Sequence, residues 1–201
     1  MGADADLALE RLKLYMRSLL EWNRGVSNLI SGNDEIRFVE RHLLESLQPG
    51  YWLKESGAER WMDFGSGGGL PAIPLVIAGI GSHWTLVESR RTKTLFMRKV
   101  VETLELKNIE IVNERLENLV SAGELAGRFD GFASRATMTL APTLAMAEGV
   151  LKPAGECFLW KGSGREQEMR EDQTWKQAWQ LEGLLGVGSG LNVVCRFKRT
   201  T

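Results

Sequence analysis

Two cysteines and two histidines among 201 residues leave little material for thiol or metal chemistry. Cys157 and Cys195 lie far apart, each in an apolar, strand-like run, so there is no CxxC pair and no disulfide framework. That usage fits a reducing cytoplasm. His42 and His83 cannot build a His-based metal cluster between them, and no metal is expected. No apolar run reaches the length of a membrane span, and the opening MGADADLALERL is acidic and amphipathic rather than signal-like. The expectation is a soluble, cytoplasmic monomer that needs no membrane. Formal net charge is only −1, so nucleic acid is not attracted globally. A polyanionic partner would have to meet a local basic patch.

What is present is apolar mass and periodicity. Hydrophobic residues make up 43% of the chain and include seven Trp, enough for one sizeable core. Residues 6–24 carry Leu12, Tyr15, Met16, Leu19 and Trp22 at helical spacing, and Asn33-Asp34 can cap a second helix that Pro49-Gly50 ends. Residues 1–55 therefore read as a helical extension. From residue 56 the rhythm changes: short apolar strands at 60–64, 84–88, 109–113, 129–134 and 156–161 alternate with helical stretches. That alternation predicts an α/β fold with a doubly wound, mostly parallel sheet covered on both faces. The tail, 179–185 and 191–198 around a glycine-rich turn, predicts a C-terminal antiparallel hairpin. Residues 56–201 are expected to form a single compact unit.

The loop after the first strand, Gly65-Ser66-Gly67-Gly68-Gly69, is the most informative stretch. In an open α/β sheet it lies where ligands bind, beyond the carboxyl ends of the strands. No Lys follows these glycines, so a P-loop is excluded, and the sixth position of GxGxxG is Leu70 rather than Gly. What fits is GxGxG preceded by Asp63, with Glu88 closing the next strand. That is the pattern of S-adenosylmethionine (SAM) methyltransferases. Glu88 can accept both ribose hydroxyls, Asp63 can act on the ammonium, and Gly65, Gly67 and Gly69 let backbone approach the methionine moiety.

The acceptor is narrowed by what is missing. Amine methylation usually uses an [N/D]PP[Y/F] turn after the fourth strand, where this chain has Ser134-Arg135-Ala136. Cytosine C5 methylation needs a nucleophilic Cys, and both cysteines lie in predicted strands. Guanine N7 carries an in-plane lone pair and no proton to lose, so it needs placement at roughly 3–3.5 Å rather than a base. No catalytic side chain is required beyond positioning, to which Arg135 at a strand's carboxyl end can contribute.

Leu20-Glu21-Trp22-Asn23, His42 through Leu47, Asp63 through Pro71, Leu86 through Ser89, Leu104 through Asn108, Arg115 through Glu117, Ser134-Arg135-Ala136 and Lys161-Gly162 together resemble the RsmG (GidB) family. The resemblance implies methyl transfer from SAM to guanine N7 in the 530 loop of 16S rRNA (guanosine 527). It implies SAM contacts at Gly65, Leu70, Leu116, Glu117 and Arg135, with Leu70 and Leu116 flanking the adenine. The partner would be 16S rRNA, the small ribosomal subunit or an assembly intermediate. Ala72 stands where the family commonly has Gly, Ile30 where it has Thr, and Glu45 where it has Asp.

Arg90, Arg91, Lys93, Arg98 and Lys99 form a run of ten residues without an acid, a solvated helix face or a phosphate contact. Lys161 and Arg165 are weaker RNA candidates. Two other classes stay open on the residues alone: an NAD-dependent oxidoreductase on a related fold, and a catalytically silent RNA- or ribosome-binding module. A small-molecule methyl acceptor also remains open.

Overall fold

A computed structural model describes residues 2–188 and 192–200. The middle of the predicted hairpin turn, Ser189, Gly190 and Leu191, lies outside the described residues.

Helix α1 spans Gly2–Gly25, with Tyr15 and Leu19 fully buried. The single second helix expected from periodicity is instead broken into pieces. A short α2 (Gly32–Glu35) is followed by a π-helical segment, Val39–Leu44, then α3 (Glu45–Leu47) and α4 (Gly50–Glu55). Wider i→i+5 turns rotate the face that looks inward. Ile36 is left 94% exposed and Leu44 45%, whereas Phe38, Leu43, Glu45 and Ser46 are buried. Nor does Pro49 end helical structure: it is the N-cap of α4.

The remaining chain alternates as the sequence predicts, with two further short helices, Leu116–Ser121 and Arg165–Glu171, that its pattern does not announce. Strand β1 is Arg60–Phe64, α5 Ala72–Ile77, β2 His83–Val87, α6 Arg91–Thr103 and β3 Ile109–Val112. Then come α7 Leu116–Ser121, β4 Phe129–Arg135, α8 Leu140–Val150, β5 Leu151–Lys161 and α9 Arg165–Glu171. The tail forms β6, Trp179–Gly186, and β7, Val193–Arg199. The seven strands lie in the order β3-β2-β1-β4-β5-β7-β6, parallel from β3 to β5. Strand β7 is antiparallel to both β5 and β6. The fifth strand begins five residues earlier than expected because pairing with β4 jumps from Leu151 to Glu156, leaving Lys152–Gly155 as a bulge.

Successive residues of β1 feed opposite faces of the sheet. Trp61 joins the cluster containing Tyr15, Leu19, Phe38, Ile73, Trp84, Phe96 and Phe158. Met62 joins Leu116, Leu119, Phe132, Leu140, Leu144 and Phe197 on the other side. The helices of residues 2–55 thus share a core with α5 and α6 over one face. Trp61 stacks on Trp84 with centroids 5.1 Å apart, and Gly131, its neighbour on β4, leaves the room a Cβ would fill.

Candidate functional site: a glycine cradle and a neighbouring cavity

The glycine loop is a backbone that side chains would obstruct. Gly65, Gly67 and Gly69 all have positive φ (68°, 57° and 85°). A Cβ on Gly65 would collide with the Thr137 side chain, and one on Gly69 with Ile73. The loop is pinned from two sides. Tyr15 Oη, on the helical extension, donates to the Gly68 carbonyl at 2.7 Å. Glu88 Oε2 accepts from the Gly67 amide at 3.0 Å, while Oε1 accepts from the Arg90 amide at 2.8 Å. Lys93 Nζ comes within 3.8 Å of where a Gly67 Cβ would sit, placing a cation over the loop.

Asp63 ends up at the back of this cradle, fully buried, and neither carboxylate oxygen has a partner among the described residues. Ser66 Oγ donates to the Asp63 backbone carbonyl, not to the carboxylate. Burial pushes the Asp63 pKa up to about 8; the nearby Ser66 hydroxyl opposes the rise and the charge of Glu88 adds to it. Arg135, at the end of β4, presents the opposite sign. Its Nη2 donates to the Arg41 carbonyl (2.6 Å) and Glu45 Oε2 (2.9 Å), while Nη1 is buried without a partner. The buried Tyr15 hydroxyl lies within electrostatic reach of both groups, Arg135 and Asp63. An unsatisfied buried carboxylate and an unsatisfied buried guanidinium nitrogen therefore flank one tyrosine. Unpaired buried polar groups cost about 1–3 kcal/mol each, more when charged. A zwitterion with an ammonium and a carboxylate would satisfy both.

Leu70 is buried at the end of the loop. Leu116 is wholly buried in the core at the start of α7, so its backbone rather than its side chain is what remains for a ligand; Glu117, beside it, is exposed.

Next to the cradle, beyond β4 and β5, lies a cavity of about 430 Å³ lined by Glu45, Arg135, Thr137, Thr139, Lys161 and Glu168, among others. None of Asp63, Glu88 or Gly65–Gly69 lines it; Thr137, wedged against Gly65, is the residue between the two spaces. No sequence signal marks Thr137. Its position follows from Ala136, whose positive φ of 55° turns the chain there, and from the 2.7 Å hydrogen bond between Thr137 Oγ1 and Ser134 Oγ.

The basic candidates separate into two groups. Arg90 and Arg91 are exposed at the start of α6, and among the described residues neither their side chains nor that of Lys93 forms an ion pair with a carboxylate. Lys161 is held by Glu168 (2.8 Å) and the Met138 carbonyl (2.7 Å), and Arg165 by Glu166 (3.2 Å). Trp22 packs on Phe96, and Asn23 is a structural residue: its Oδ1 accepts from the amides of Leu29 and Ile30. Both cysteines are buried with raised pKa values, Cys195 at about 11, through desolvation. His42 is buried and its pKa falls to about 4 through desolvation, assisted by Arg135. None of the three is a ready nucleophile or base. Among the described residues there is no metal-binding cluster of His, Cys, Asp and Glu, and no helix long and apolar enough to cross a membrane.

The strand order, the glycine turn after β1 and the acid after β2 define a doubly wound fold of the SAM-dependent methyltransferase class. An O-methyltransferase from Bacillus cereus, solved with S-adenosylhomocysteine, shares this fold with a TM-score of 0.65 over 93% of this chain and 90% of its own, at 15% identity. The chain belongs to the GidB family, rRNA small subunit methyltransferase G, whose pattern it matches over residues 8–187. Proteins named ribosomal RNA small subunit methyltransferase G are similar to it over most of its length. The one from Stenotrophomonas maltophilia is 39% identical over 171 residues, and that from Polynucleobacter asymbioticus 35% over 173; each alignment covers 85% of this chain and 76% of the relative.

Proposed function

We propose that this chain transfers the methyl group of SAM to N7 of a guanine in the 530 loop of 16S rRNA (guanosine 527), acting as a cytoplasmic monomer. The observation that carries the cofactor reading is the pair of unsatisfied buried groups, Asp63 and Arg135 Nη1, beside a glycine loop no side chain fills. SAM, when bound, supplies an electrophilic methyl on a sulfonium. Asp63 would hold its ammonium, Arg135 its carboxylate, Glu88 the ribose hydroxyls, and the Leu116–Glu117 backbone with Leu70 the adenine. In this reading residues 56–201 are the catalytic domain. Residues 1–55 are a helical extension that buttresses the loop through Tyr15.

Family membership supports rRNA as the acceptor, and the chemistry of the site supports N7. The cavity beside the cradle contains no His or Cys, and its carboxylates are committed: Glu45 to Arg135, Glu168 to Lys161. An acceptor that loses no proton needs only to be held in place. The partner is 16S rRNA, free or within a small-subunit particle or assembly intermediate, met by the basic start of α6. Nucleoside mapping of 16S rRNA from cells with and without the gene tests this: loss of one 7-methylguanosine in the 530 loop is expected, and an unchanged modification pattern counts against it.

A further inference from the structure

Glu45 is the least expected residue in the interior. It stands where a surface-like helix is expected, yet it is 1% exposed because the π-helical turns before it rotate it inward. Both carboxylate oxygens and the backbone carbonyl are used. Oε2 accepts from Arg135 Nη2 at 2.9 Å, Oε1 from Asn192 Nδ2 at 2.9 Å, and Arg41 Nη1 lies 3.6 Å from Oε1. Its backbone carbonyl accepts from Trp160 Nε1 at 2.7 Å. One residue thus ties together the helical extension, the ends of β4 and β5, and the strand β7 side of the sheet. Gly188, which follows β6, also packs against it: its φ is +67°, and a Cβ there would come within 2.8 Å of Glu45 Oε1.

The consequence falls on Arg135. A guanidinium has five N–H donors in a rigid fork, so fixing one nitrogen aims the other. Here Nη2 is clamped between the Glu45 carboxylate and the Arg41 carbonyl, which leaves Nη1 buried, directed and unspent. We propose that Glu45 is a positioning residue for cofactor binding: its carboxylate holds the Arg135 fork so that Nη1 is reserved for the carboxylate of the cofactor's amino-acid end. This rests on the SAM reading of the cradle given above. The charge is essential, not only the shape. Arg135, Asn192 and Arg41 all present donors to Glu45, so an amide in its place would turn its own N–H₂ towards at least one of them. Aspartate keeps an acceptor-only group and the charge, one methylene shorter.

The test uses the full chain and two ligands that differ at the amino-acid end. S-adenosylhomocysteine carries the α-carboxylate; 5′-methylthioadenosine has neither that carboxylate nor the ammonium. Calorimetry should show Glu45→Gln binding S-adenosylhomocysteine roughly 10- to 100-fold more weakly, as expected for a disturbed charged hydrogen bond. Affinity for 5′-methylthioadenosine should change by less than about twofold, because no contact to the nucleoside is altered. Glu45→Asp should recover most of the loss, which a general packing defect would not allow. An unchanged ratio of the two affinities in folded Glu45→Gln overturns the proposal. Should Glu45→Gln not fold, Arg135→Gln tests the contact through which Glu45 acts: it should show the same selective loss, and an unaltered ratio overturns the proposal equally. Failure of the unsubstituted protein to bind S-adenosylhomocysteine at all would instead overturn the cofactor reading, and the inference with it.

Discussion

The Gly67 amide donates to Glu88 Oε2 at 3.0 Å, so the acid that follows β2 also braces the loop after β1. Glu88→Ala removes both this brace and the proposed ribose contact. SAM affinity measured by calorimetry should fall by about 1–3 kcal/mol. Gly65→Val should cost more, since a branched side chain at φ 68° would also strike Thr137. Undiminished affinity in both folded variants would mean the cofactor lies elsewhere.

Asp63 makes a pH prediction. An unfolded aspartate titrates near 3.9, whereas burial raises the folded value to about 8. Between those limits the native protein keeps a proton that the unfolded chain has lost, so stability without ligand should fall as pH rises through this window. An ammonium set against the carboxylate reverses the preference and expels the proton. Affinity for S-adenosylhomocysteine should therefore rise as pH climbs towards 8, with proton release visible in buffers of different ionisation enthalpy. Asp63→Asn should abolish the release. Equal proton release in the two proteins would show that another group meets the ammonium.

Tyr15→Phe deletes one buried hydrogen bond to Gly68 and little else. The expected loss is about 1 kcal/mol of folding stability by denaturant titration, more if the Gly68 carbonyl stays unpaired. Cofactor binding should weaken as well, because the loop is braced from the helical extension. A variant as stable as the parent would show that the loop holds itself.

The alternation of strands and helices along the chain, the glycine loop and the two acids are legible in the sequence because each depends on local pattern: short apolar runs, glycines in a tight turn, acids at strand ends. What stays hidden depends on long-range placement. Tyr15 reads as one more apolar face residue of α1, and nothing local says that its hydroxyl meets Gly68, 53 residues away. Glu45 is visible only as a substitution for Asp. Its burial follows from π-helical turns that a 3.6-residue period cannot anticipate. Helix α9 is equally silent, since REQEMRE has no buried face to create a periodic signal. Lys161 reads as a free cation because its partner Glu168 lies on that silent helix.

That pairing sharpens the RNA prediction. Replacing Arg90, Arg91 and Lys93 with Ala should weaken rRNA binding and lower its salt slope by roughly one unit for each phosphate no longer neutralised. Lys161→Ala should leave the slope nearly unchanged. A reduced slope in Lys161→Ala alone would move the RNA face to the β5 side.

The proposed base-free methylation of guanine N7 is measured most directly by single-turnover transfer of a labelled methyl group from SAM to small-subunit rRNA. With SAM and RNA saturating, digestion of the product should yield label in 7-methylguanosine alone, from a single site in the 530 loop. The rate should be nearly flat between about pH 6.5 and 8.5, where an ordinary His would titrate at the lower end. Label in an exocyclic amine or in a pyrimidine would refute N7 as the acceptor. A rate governed by one basic group that a His42 or His83 substitution removes would refute transfer without a base.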